Sequence, residues 1–176
     1  MRWVAAVGLI GAGLALAGCG SGTVSGTADP EAVASGEPAF SPCDDIPDDT
    51  LRAVGVDPAT EGQDIYDVKQ PGWNICMWRG PAFHVTVLAT TYTLDDVRSN
   101  ANNEEFAEVD VEGRPGVLYR QVSDRNRERC DVALSSDGGA VIVQAGFYGK
   151  TKPRDQQEPC EVATRAAGTI ASHVPA

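Results

Sequence analysis

The sequence predicts an α+β domain: a mostly antiparallel β-sheet with helices packed on it, in one domain stapled by disulfide bonds. Three observations predict it. Strand-like segments come in pairs around short turns, as in 130–135 and 140–148 around Asp137-Gly138-Gly139, and tight turns join antiparallel neighbours. Helical patterns stand before, between and after these pairs rather than following every strand, as a parallel sheet would require. Four cysteines, Cys43, Cys76, Cys130 and Cys160, are spread through the same stretch, an even number suited to two disulfides.

Each element can be read in turn. DDIPDDTLRAVGV (44–56) reads as a short helix, with acids in its first turn and Gly55 as its C-terminal stop. WNICMW (73–78) and FHVTVLATTY (83–92) follow as strands. In the second, Phe83, Val85, Val87 and Ala89 alternate with His84, Thr86, Leu88 and Thr90, the period of a strand. Thr93-Leu94-Asp95-Asp96 resembles a capping box and opens a helix through about residue 102. EVDVEG (108–113) and GVLYRQV (116–122) pair around Arg114-Pro115. CDVALS and AVIVQAGFY make the last strand pair, and a helix from about Pro159 to His173 closes the chain. Val162, Ala166, Ile170 and Val174 form its apolar stripe, with Ala163 and Ala167 alongside. The expected order is α-β-β-α-β-β-β-β-α, with no internal repeat.

The N-terminus has a different character. Met1-Arg2 precedes WVAAVGLIGAGLALA, fifteen residues without a charge, short of the roughly 20 that a spanning helix needs. A basic start, a short apolar middle and small residues at the end describe an export signal. Leu16-Ala17-Gly18-Cys19 resembles the bacterial lipobox. The resemblance implies cleavage before Cys19 and a diacylglyceryl thioether on it, and two acyl chains anchor stably where one does not. Residues 1–18 are then a lipoprotein signal peptide, and 176 − 18 = 158 residues remain. Residues 19–42 comprise the lipidated cysteine and a Gly/Ser/Thr/Pro-rich tether with a typical reach of roughly 25 Å. Residues 43–176 are the folded domain, 134 residues, enough for a single core. The expected location is the extracytoplasmic face of the cell membrane, with the membrane itself as a partner through the anchor.

Net charge is −11, or −12 without Arg2. Such acidity is poorly matched to nucleic acid, whose binding rests on phosphate neutralisation. With Cys19 assigned to lipid, the remaining four cysteines allow three connectivities. Cys43 lies in SPCDD and Cys160 in EPCEV, each at a helix start, whereas Cys76 and Cys130 adjoin strand-like sequence. These contexts favour two helix-to-strand bonds, Cys43–Cys76 and Cys130–Cys160.

A family resemblance then becomes visible. A Gly/Ser tether after the lipobox, Pro42-Cys43 before a short acidic helix ending in Val54-Gly55, Cys76-x-Trp78, and Pro159-Cys160 opening the last helix together resemble a domain-of-unknown-function family of actinobacterial lipoproteins. That group includes mycobacterial LprB and LprC. The resemblance implies the fold, lipidation and an envelope location; it carries no catalytic residues over.

The chemistry-bearing residues are few. His84 and His173 are the only histidines, and no G-x-S-x-G, H-E-x-x-H or P-loop is present. No catalytic set, metal site or cofactor is assigned. Asp44, Asp45, Asp48 and Asp49 read as helix-start acids, lacking the spacing of a dedicated Ca²⁺ loop. Arg125, Arg127 and Arg129 would share one face of an extended chain, with Arg120 nearby. They make either a basic spot for an anionic headgroup, a phosphoglycan or an acidic partner, or a solvated hairpin end balanced by Asp124 and Glu128. Cys76 and Trp78 share a strand face. Trp73 lies outside it, where it packs in the core or lines an apolar ligand pocket. The sequence therefore supports a non-enzymatic binding or interaction module of unknown ligand, whose partner is an envelope protein or an amphipathic or anionic ligand. The alternative is an envelope enzyme with a site built from scattered Asp, Glu and Arg.

Overall fold

Two prolines shape the start of the fold. Pro42 opens a four-residue helix, α1 (Pro42–Asp45), and Pro47 precedes a second, α2 (Asp48–Val54). A single helix over this stretch was expected. Pro47 has no amide hydrogen to continue one, and it holds the preceding Ile46 in the extended region at φ −96°, ψ 113°. Gly55 ends α2 as expected: at φ 100° its amide donates to the Leu51 and Arg52 carbonyls at 3.2 and 3.1 Å. The computed structural model describes residues 36–148 and 158–176. The expected signal peptide (1–18), the expected lipidation site Cys19 and the expected tether as far as residue 35 lie outside the described residues.

Seven strands follow, β1 (Asp57–Gln63), β2 (Trp73–Arg79), β3 (Phe83–Thr90), β4 (Asn103–Val111), β5 (Arg114–Gln121), β6 (Arg129–Ser136) and β7 (Gly139–Phe147), with α3 (Leu94–Ser99) between β3 and β4. They form one sheet in the order β1-β2-β3-β7-β6-β5-β4, every neighbour antiparallel. The β3–β7 pairing closes the centre, running from Phe83↔Phe147 to Thr90↔Ala140. α4 (Pro159–Ile170) and a 3₁₀ turn (Ala171–His173) end the chain.

Strand β1 was not foreseen. It reads DPATEGQ, without apolar alternation, and it is an edge strand that gains its place by pairing with β2, where the Thr60 hydroxyl also accepts from the Arg79 amide at 2.7 Å. The β4–β5 turn also differs from expectation. It falls at Glu112-Gly113, both at positive φ (53° and 79°), so Arg114 and Pro115 belong to β5. Freed from the turn, Arg114 donates to the Ser135, Val174 and Pro175 carbonyls at 2.9, 2.9 and 2.6 Å, which ties the C-terminus to the sheet. Helix α3 stops at Ser99, and the chain enters β4 already at Asn103.

The sheet buries both faces unequally. Its first face carries Cys76, Trp78, Val85, Val87, Val132, Leu134, Val141 and Val143, packed in one cluster with Leu51 of α2 and Val162, Ala163, Ala166, Ala167 and Ile170 of α4. Helix α4 contributes mainly alanines, whose small size lets its backbone approach the sheet closely. The second face holds a smaller cluster, Val97, Val117, Tyr119, Ala133 and Ile142, with Trp73, Leu88 and Leu94 against it. Helix α3 covers part of this face. Two disulfides fasten helices to strands: Cys43–Cys76 joins α1 to β2 and Cys130–Cys160 joins β6 to α4. With the first face covered by helices and the centre of the second buried, the hairpin ends and the sheet edges are the parts of the sheet most exposed to solvent.

Candidate functional site

The β1–β2 connection is the least ordinary part of the surface. Across residues 64–72 the chain turns at an isolated Ile65↔Val68 bridge, with Asp64, Tyr66 and Asp67 at φ 57°, 53° and 61°. Aspartate tolerates the left-handed region because its carboxylate bonds locally; tyrosine there is uncommon. The turn presents Ile65, Tyr66 and Val68 to solvent, and Tyr66 is 94% exposed. Three of the six large apolar side chains exposed among the described residues thus sit in four consecutive positions.

The base of this hairpin holds the entering chain. Lys69 pairs with Glu37 at 3.2 Å and donates to the Asn74 side-chain oxygen. Asn74 in turn donates to the Pro38 and Phe40 carbonyls at 3.0 and 2.8 Å. Phe40 is itself in the core. Folded structure therefore begins several residues before Cys43, at the foot of the exposed tip. Trp73 starts β2 on the second face, half-buried, with its ring 5.8 Å from that of Tyr92. It serves as packing at the edge of the smaller core.

The three arginines are not brought together. Residues 122–128 form a tight loop instead of an extended strand. The Asp124 carboxylate accepts from the Glu128 and Arg129 amides at 3.1 and 2.8 Å, and Arg127 sits at φ 56°. Arg125 projects from the loop. Arg127 makes a two-pronged pair with Glu105, and the guanidinium hydrogen bonds hold the Glu105 carboxyl below its usual range. Buried Arg120 joins the same carboxylate at 3.7 Å and donates to the Arg129 carbonyl at 2.6 Å. Arg129 lies on the second face, its stem over Gly146 together with the His84 ring. The basic spot read from the sequence is thus divided, and half of it is neutralised internally.

Sequence reasoning missed the polar centre of the second face. Asp131, directly across β5–β6 from Tyr119, is 1% exposed. Its Oδ1 accepts from Gln144 Nε2 at 2.8 Å, and Oδ2 has no hydrogen-bond partner among the described residues. Burial pushes its carboxyl up to about 6, against the opposing effects of Gln144, Arg129 and Gln121. The Tyr119 phenol is raised by burial and by the Asp131 charge. His84 is held below the usual imidazole range by burial, then by Arg129 and Arg79, and its Nδ1 is sealed without a partner. A general acid or base must reach the proton it moves, and both unpaired atoms face protein. In this geometry neither group is placed to pass a proton to a bound molecule. The signal for it was an acid, Asp131, in the middle of the otherwise apolar CDVALS.

Other candidates are local. Asp44 and Asp45 bond Ser41, Asp48 pairs with Arg52 at 2.9 Å, and Asp49 accepts from the Thr50 amide. His173 Nε2 lies 3.0 Å from the Thr50 hydroxyl and ties the last turn to α2. Among the described residues, Cys43, Glu61 and Cys76 group at metal-ligand spacing, but the two sulfurs are joined to each other and offer no thiolate. No helix among them is long and apolar enough to cross a membrane.

These features define a class: a two-disulfide α+β sheet domain whose foremost exposed apolar surface is a hairpin tip beside the entry of its N-terminal chain. The chain matches the family model described as "Protein of unknown function (DUF3558)" over residues 14–173, and it belongs to that family. No curated protein and no solved structure matches it.

Proposed function

We propose that this protein is a cell-envelope lipoprotein of the actinobacterial type, anchored through Cys19 at the extracytoplasmic face of the membrane. It acts there as a non-enzymatic interaction module. One observation carries the reading: Ile65, Tyr66 and Val68 are offered to solvent from a turn held in an uncommon backbone conformation. Such positions persist where surrounding structure enforces them, and they cluster at sites of function. The N-terminal sequence supports the anchor, and the family match begins at Leu14 and so takes in Leu16-Ala17-Gly18-Cys19. Buried Asp131, bonded to amides instead of a catalytic partner, supports the non-enzymatic role.

Metabolic labelling with a fatty-acid analogue tests the anchor. Label is expected on the wild-type chain, together with recovery in the membrane fraction, and both are lost in Cys19→Ala. Label that persists in the variant would sink the assignment.

A further inference from the structure

The segment 57–72 carries four acids, Asp57, Glu61, Asp64 and Asp67, and a single base, Lys69. That lysine is already engaged by Glu37 and Asn74. Asp64 and Asp67 flank Tyr66 within the turn itself. An apolar tip bordered by carboxylates is a poor wedge for a bilayer, because an anionic leaflet repels it and the acids resist leaving water. The same tip suits a protein recess that is apolar at its floor and basic at its rim, since complementary charge steers and registers such contacts. Tyrosine is among the residues that dominate interface energetics, and a turn already held in its binding shape loses little freedom on docking.

The position of the tip adds the partner's location. The described chain begins at Gly36, and Glu37 is fastened to the hairpin base through Lys69. Sixteen residues, 20–35, separate Cys19 from Gly36. If Cys19 carries lipid, chain length alone keeps Gly36 within about 60 Å of the membrane surface.

We infer that Ile65, Tyr66 and Val68 dock into a basic-rimmed apolar recess on a second envelope protein at the membrane surface. The membrane-surface part of this statement rests on the lipid-anchor reading above; the docking part does not.

Full-length chain carrying the photoreactive residue benzoylphenylalanine at position 66, made in its own cells, tests it. The same probe at Phe106, exposed on the opposite edge strand β4, is the control. A protein adduct of one defined mass is expected from position 66, at least tenfold weaker from position 106. Asp64→Asn with Asp67→Asn should lower it severalfold, because asparagine keeps the left-handed turn while removing the charge; an unchanged unfolding temperature shows that the fold is retained. An absent adduct, equal adducts at both positions, an adduct to lipid alone, or indifference to the charge removal overturns the docking. Fatty-acid label read on the same samples separates the two readings. Label without a position-66 protein adduct leaves the anchor standing and the docking refuted. An adduct without label keeps the docking and overturns its place at the membrane.

Discussion

Asp131 shows what a single side chain costs in this fold. Its strand is buried on both faces, so the carboxylate loses water and recovers amide hydrogen bonds, with no cationic partner bonded to it. A carboxyl pushed up to about 6 in the folded chain, from about 3.9 unfolded, favours folding while protonated. Its contribution is fully present below about pH 4 and is lost as pH rises to about 6, on the order of 3 kcal/mol in all. Asp131→Asn should therefore leave stability near pH 4 little changed and raise it relative to wild type by about that amount at pH 7. Urea unfolding at pH 4, 5, 6 and 7 measures this, and parallel pH curves for the two proteins would refute it. Asp96 and Glu105, held low chiefly by the Thr93 backbone bond and by Arg127, act in the opposite sense. Their contribution is present above their unfolded values and lost only in the more acid range, so they do not mask the effect. Among the described residues, His84 Nδ1 and Trp78 Nε1 are likewise buried without a partner, Trp78 at 0% exposure in the main core.

Among elements, α3 is the most exposed to a single change. It is six residues long and lies over the smaller core through Leu94 and Val97. Helices this short depend on their caps. Here Thr93 accepts from the Asp96 amide while the Asp96 carboxylate accepts from the Thr93 amide at 2.7 Å. Thr93→Ala should cost about 1 kcal/mol and speed hydrogen exchange in α3 ahead of β3 and β7; uniform exchange across these elements would argue against it. The β6–β7 hairpin has a stricter point. A Cβ at Gly139 would fall 1.9 Å from the Thr90 carbonyl oxygen and 2.8 Å from Thr91 Cα, both backbone atoms. Neither can swing aside, so Gly139→Ala should force the β3–β7 pairing apart and cost at least about 3 kcal/mol. A variant with wild-type unfolding temperature would show that the hairpin gives way more easily. Both were partly legible beforehand. The capping box is a local signal legible in the sequence, and so is the hairpin turn, which takes Asp137-Gly138 and leaves Gly139 to β7; the need for glycine at 139 comes from a strand 49 positions earlier.

The described domain is a sheet with helices fastened to its first face by two covalent ties. The bridges close loops of similar length, with sequence separations of 33 and 30 residues. By chain entropy each contributes on the order of 3–4 kcal/mol. Replacing either pair by alanine should lower the unfolding free energy by a similar amount, checked by denaturant titration of the two paired variants. A much larger loss at one bridge would mean that it also sets the seat of its helix. The two sheet edges, polar β1 and acid-rich β4 (Asn103–Val111), are ill suited to edge-to-edge association. The net charge of −11 adds general repulsion. The exposed apolar side chains of the β1–β2 tip stand apart from these polar edges.

What the sequence determined by itself is local. Alternation in 83–90, the Thr93–Asp96 cap, Gly55 as a helix stop, the α4 stripe and the α+β class all follow from residues within a few positions of one another. Periodicity and capping are short-range physics, visible in a single segment. Tertiary structure decided the rest. It recruited the polar segment 57–63 as an edge strand, because backbone pairing needs no apolar side chain. It divided Arg125, Arg127 and Arg129, because Asp124 and Glu105 captured the loop. It buried Asp131 against Gln144 and Gln121, and it set an exposed tyrosine above the point where the chain enters the domain. Most of these depend on partners far along the chain, such as Glu105 for Arg127 and Gln144 for Asp131, or on bonds to backbone groups, and neither leaves a periodic mark in the sequence.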